Sequence, residues 1–81
     1  MPNEGDFEKA RQAYQEAWGE SKKYGEEALD ALQNADLASS QQARDLFKRK
    51  AKLALIASEN WRKTAELAVE VMQGIASGIH L

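Results

Sequence analysis

The chain has 81 residues, a mass of 9.0 kDa and a net charge of −2, so it holds one small domain spanning residues 1–81. It contains no Cys, which excludes a disulfide framework and a thiolate metal site. It has no apolar run of about 18 residues, so the sequence predicts no transmembrane helix. Its polar start does not resemble a signal peptide, which favours a cytoplasmic location. The pI of 5.4 argues against nucleic acid as a partner.

The composition favours helices that need a partner. The single Pro lies at position 2, and 14 residues are Ala, whereas Leu, Ile, Val and Phe together number 15. One copy of such a chain cannot build a sizeable core. We therefore expect an all-α protein, an antiparallel hairpin of two long amphipathic helices that assembles into a four-helix bundle or coiled-coil oligomer.

The first predicted helix runs from about residue 6 to residue 34, with Asn3 or Asp6 as its N-cap. Small and aromatic residues recur there at alternating steps of three and four, which is a heptad seam. This seam comprises Phe7, Ala10, Tyr14, Ala17, Ser21, Tyr24, Ala28, Ala31 and Ala35.

A turn is predicted at residues 35–39, and one unbroken helix is the alternative. Ser39 and Gln42 fit a capping box, in which Ser39 accepts from the backbone N–H of Gln42. Such a short connection makes the helices antiparallel neighbours. A turn near Asp36–Ala38 would place residues whose numbers sum to about 75 opposite each other.

The second predicted helix covers residues 40–76, followed by a frayed tail at 77–81 that contains His80. Gly74 and Gly78 either stop this helix or permit close helix approach, and a helix stop is the favoured interpretation. Its predicted seam comprises Ala43, Phe47, Lys50, Ala54, Ala57, Trp61, Thr64, Ala68, Val71 and Ile75.

Large side chains define the predicted contact face. We expect a buried stripe of Phe7, Tyr14, Trp18, Leu32, Leu46, Phe47, Leu53, Trp61, Leu67, Val71 and Ile75. Leu29, Leu55, Ile56, Val69 and Met72 lie beside or off the seam, and of these Leu55, Val69 and Met72 complete the predicted self-association face. A symmetric dimer is the simplest assembly that covers such a wide apolar arc, and trimers or tetramers are alternatives.

The sequence predicts no catalytic, metal or cofactor site. His80 is the single His and has no second ligand nearby in sequence. Glu59, Glu66 and Glu70 lack the Glu-x-x-His spacing of a di-metal bundle. The basic run Arg44–Lys52 could touch an anionic surface, but a solvated face beside Glu26, Glu27 and Asp30 is the favoured interpretation.

The second half of the chain resembles the central segment of phasins. A Ser-x-Gln-like helix start leads to a Leu-x-x-x-Phe-like helix and then to a Lys-x-x-Glu-Leu-like stretch. The matching residues are Ser39, Gln41, Leu46, Phe47, Lys63, Glu66 and Leu67. The resemblance covers about half of the chain and implies a non-enzymatic, oligomeric helical protein, without a cofactor, that coats or regulates polyhydroxyalkanoate granules. The alternative is an oligomeric helical-bundle adaptor or regulator that binds protein partners.

Overall fold

A computed structural model of the chain describes residues 4–78. They form two helices, α1 (Glu4–Leu37) and α2 (Gln41–Ala76), packed against each other as a hairpin. The hairpin is a rod with extents of 59 × 16 × 12 Å. The predicted all-α antiparallel hairpin is confirmed, and the helices are not fused into one.

The turn lies slightly later than the sequence predicts. α1 continues three residues past Asn34 to Leu37, because neither Pro nor Gly interrupts it. Ser40 has an extended backbone (φ −127°, ψ 152°), and its hydroxyl accepts from the backbone N–H of Ala43 at 3.1 Å. The predicted cap at Ser39 is therefore wrong by one residue. The guanidinium of Arg44 also donates to the Ala38 carbonyl at 3.4 Å, across the turn.

α2 ends in a glycine turn. Gly78 adopts a φ of +72°, a left-handed conformation that glycine enters without a Cβ penalty. Its N–H donates to the Ile75 carbonyl, and the Ser77 N–H donates to the Gln73 carbonyl. Gly78 therefore acts as the predicted helix stop, whereas Gly74 lies within α2 and does not end it. Residues 77 and 78 of the predicted frayed tail form this turn, whereas His80 and the candidate cap Asn3 lie outside the described residues.

The interface between the helices consists of small side chains. The buried residues of the described chain are Ala10, Ala17, Ser21, Ala28, Ala31, Ala35, Ala51, Ala54, Ala65 and Ala68. The α1 seam is confirmed, since its other members, Phe7, Tyr14 and Tyr24, are half-buried. Alanine on both sides lets two helices approach closely, which leaves no room for larger side chains between them.

The α2 seam is only half as predicted. One heptad series of the predicted seam faces α1: Phe47, Ala54, Trp61, Ala68 and Ile75. Within it, Ala54 and Ala68 are buried and Trp61 lies at the edge. The second predicted series is partly wrong: Ala43 and Ala57 are half-buried, but Lys50, Thr64 and Val71 are exposed. The residues next to Lys50 and Thr64, Ala51 and Ala65, are buried instead.

Two serines fix the register of the helices. The Ser21 hydroxyl donates to the Ser58 carbonyl at 2.9 Å, and the Ser58 hydroxyl donates to the Ser21 carbonyl at 2.8 Å. Because Ser21 faces Ser58, the numbers of facing residues sum to 79. The predicted sum of 75 is too small by four residues, or about one helical turn. The cause is the later turn, because a turn centre displaced by two residues changes the sum by four.

The predicted buried stripe is wrong for this hairpin. Trp18, Leu32, Leu46, Leu53, Trp61, Leu67 and Val71 are exposed, between 37% and 63%, while Phe7, Tyr14, Phe47 and Ile75 are half-buried. The physical reason is the alanine seam: large side chains at neighbouring helix positions point to either side of the narrow contact.

Candidate interaction surface

One long side of the hairpin carries apolar residues from both helices. An open groove of about 570 Å³ runs there between α1 and α2, and Trp18, Lys22, Gly25 and Arg62 are among its lining residues. Residues seven positions from these lie on the same side of each helix. We call the resulting apolar set the tryptophan flank: Trp18, Leu29, Leu32, Leu55 and Val69.

Trp18 is held in place from within the hairpin. Its ring meets the half-buried Tyr14 ring edge-to-face, with centroids 6.3 Å apart and planes at 82°. Tyr14 belongs to the seam, so its position is set by the packing of α1 on α2. Trp18 therefore stands 42% exposed on a fixed support, as aromatic anchors at protein interfaces do.

α2 carries a second apolar surface. An α-helix turns by about 100° per residue. Measured around the axis of α2, four large aliphatic residues lie roughly 140–180° from Arg62, on the side away from the tryptophan flank. We call this set the outer leucine face: Leu46, Leu53, Leu67 and Val71. Beside it, Trp61 lines a separate surface depression with Glu16, Gly19 and Glu20 of α1.

The predicted self-association face is thus divided between three places. Trp18, Leu32, Leu55 and Val69 belong to the tryptophan flank, and Leu46, Leu53, Leu67 and Val71 belong to the outer leucine face. The rest lie along the seam: Phe7, Tyr14, Phe47, Met72 and Ile75 are half-buried, and Trp61 is at its edge.

Leu29, which the sequence predicts beside the seam, is 63% exposed and lies seven residues after Lys22, on the tryptophan flank. One further feature could have been read from the sequence. Ser58 lies midway between Ala51 and Ala65 at seven-residue steps. This series of small residues marks the true α2 seam and the partner of Ser21.

The charges of the two helices differ in sign but are not paired across the hairpin. α1 holds nine acidic and four basic residues, and α2 holds four acidic and seven basic ones. Among the described residues, the Arg11 guanidinium and the Glu8 carboxylate form an ion pair at 2.7 Å, and both residues belong to α1. The Arg11 hydrogen bond lowers the pKa of the Glu8 carboxyl. The expected pairing of the basic run Arg44–Lys52 with the acids of α1 is not found among residues 4–78.

The described residues contain no group of three or more His, Cys, Asp or Glu side chains placed to hold a metal ion. Within residues 4–78, neither helix is apolar enough over a sufficient length to cross a membrane. The chemistry that this surface offers is apolar contact flanked by charges.

No protein-family model, curated protein or solved structure matches this chain. The resemblance to phasins therefore stays an interpretation of the sequence.

Proposed function

We propose that the protein is a non-enzymatic, phasin-like coat or regulator of polyhydroxyalkanoate granules, acting at the granule surface in the cytoplasm and self-associating as a dimer. The observation that supports this most directly is the placement of large side chains outside the helix pair. Its core is alanine, while the leucines of α2 point to solvent. Such residues gain free energy by burial at an apolar boundary.

The outer leucine face is suited to contact with a polymer surface. Leu46, Leu53 and Leu67 are each 59–63% exposed and lie along one line of α2. Full burial of a leucine is worth roughly 1.5–3 kcal/mol, so each of these side chains would contribute about 1–2 kcal/mol. At about 100° per residue, the exposed Arg49 lies within this face and the exposed Lys50 lies at its edge.

The test is sedimentation with purified polyhydroxyalkanoate granules. We expect the wild-type chain to sediment with them, and the Leu53→Gln/Leu67→Gln variant to bind at least tenfold more weakly. The matched control is Leu32→Gln/Leu55→Gln, which removes two exposed leucines from the tryptophan flank and should retain binding. A wild-type chain that stays in the supernatant at all granule concentrations would refute this function.

The second candidate function is that of an adaptor that binds a protein partner in a helix bundle. One observation favours it: Leu53, Leu55 and Ile56 are all 47–63% exposed, and they point to different sides of α2. A flat surface covers one side of a helix, whereas neighbouring helices cover several. If this candidate is right, the chain will not bind granules, but co-purification will recover one stoichiometric protein partner.

A further inference from the structure

We infer that the tryptophan flank is the contact between two copies of this chain, related by a two-fold axis parallel to the helices. This inference deepens the proposed self-association by naming the face and the symmetry of the dimer. It does not depend on granule binding, which is assigned to the outer leucine face on the other side of α2.

The first argument is the alternation of charge. In the hairpin, α1 with a net charge of −5 touches a single helix, α2, with a net charge of +3. A two-fold axis along the rod places α1 of each copy beside α2 of the other. Each helix then has neighbours of opposite net charge on both sides. An axis perpendicular to the rod can place α1 on α1, where like charges would meet.

The second argument is the match of individual residues along the flank. In this arrangement, residues of the two copies whose numbers sum to about 79 lie at the same height along the rod, as they do within one hairpin. Lys22 of one copy then lies near Glu59 of the other, and Arg11, which also pairs with Glu8 in its own helix, lies near Glu66. Lys22 and Glu59 form no ion pair within the described hairpin, so both charges are open to the second copy.

The third argument is steric. Gly25 and Leu55 lie at the same height, with numbers that sum to 80, so Leu55 of one copy meets a glycine of the other. A Cβ at Gly25 would touch nothing nearer than the Ser58 hydroxyl, at 3.7 Å, so the hairpin itself does not require this glycine. Trp18 likewise lies level with Arg62, which suits a cation–π contact.

The turn end of the dimer is less favourable. There, Asp36 of one copy lies near the height of Asp45 of the other, and these like charges repel each other. Both side chains are exposed, so water and salt screen this repulsion. The contact is therefore concentrated in the middle of the rod, around Trp18, Gly25 and Leu55.

Analytical ultracentrifugation at micromolar concentration tests the face. The wild-type chain should sediment with twice its 9.0 kDa mass, and Leu32→Gln/Leu55→Gln should shift at least tenfold towards monomer. Leu53→Gln/Leu67→Gln, with the same chemical change on the outer leucine face, should remain dimeric. A monomeric wild type, or a larger loss from the second variant, would overturn the inference.

Disulfide trapping tests the symmetry, because the natural chain has no Cys. When the Lys22→Cys and Glu59→Cys variants are mixed and oxidised, the main product should be the disulfide between position 22 of one chain and position 59 of the other. Predominant 22–22 product would place α1 against α1 and contradict the parallel axis. If granule binding fails while these results hold, the proposed coat function falls and the dimer stands.

Discussion

Ala65 has no exposed surface, whereas Leu53 on the same helix leaves 63% of its surface in solvent. This inverts the usual ranking, in which the larger aliphatic residue is the more buried one. Close approach of the helices explains it, because a methyl group fills the space between two backbones and an isobutyl group does not. At the residue scale, stability therefore depends on small side chains being kept small.

Ala65→Leu should consequently destabilise the fold by about 1–3 kcal/mol, since added methylenes must force the helices apart. Ala13→Leu is the matched control: it makes the same change at an exposed position of α1 and should change the free energy of unfolding by less than about 0.5 kcal/mol. Urea denaturation at one fixed protein concentration measures both. Equal, small effects would show that the alanine seam is loosely packed.

At the scale of the element, one side-chain hydrogen bond caps the start of α2: the Ser40 hydroxyl accepts from a backbone N–H. Ser40→Ala should cost about 0.5–2 kcal/mol, because the N–H of Ala43 loses its acceptor. Ser39→Ala is the control, since Ser39 is exposed and precedes the cap. Thermal unfolding followed by circular dichroism compares the two variants. A larger loss from Ser39→Ala would return the cap to the position that the capping-box pattern predicts.

The same element shows what the sequence can and cannot reveal. The heptad spacing of α1 predicts its seam correctly, because polar residues leave one face of small and aromatic side chains. On α2, apolar residues occur on several sides, so spacing does not select one face. The predicted seam lies one position away from the buried Ala51 and Ala65, because it is widened to include Leu46, Leu53 and Leu67. Only the packing of α1 against α2 decides between these two series.

At the scale of the whole molecule, the chain is a rod that cannot enclose a core. Its radius of gyration is 18.0 Å, against about 12 Å for a compact domain of this length. None of its large side chains is fully buried within residues 4–78. The alanine content of the sequence predicts that one copy builds no sizeable core, but assigning the faces requires the register set by Ser21 and Ser58.

A rod of this kind that depends on a second copy must have a stability that depends on concentration. When two chains fold into one dimer, each tenfold rise in protein concentration stabilises it by about 1.4 kcal/mol per mole of dimer. The midpoint of thermal unfolding should therefore rise steadily from 1 to 100 μM for the wild type. It should change little for Leu32→Gln/Leu55→Gln, whose tryptophan flank is weakened while its alanine seam is intact. A wild-type midpoint that is constant over this range would mean that the hairpin is stable alone, and that Leu32 and Leu55 do not join two copies of the chain.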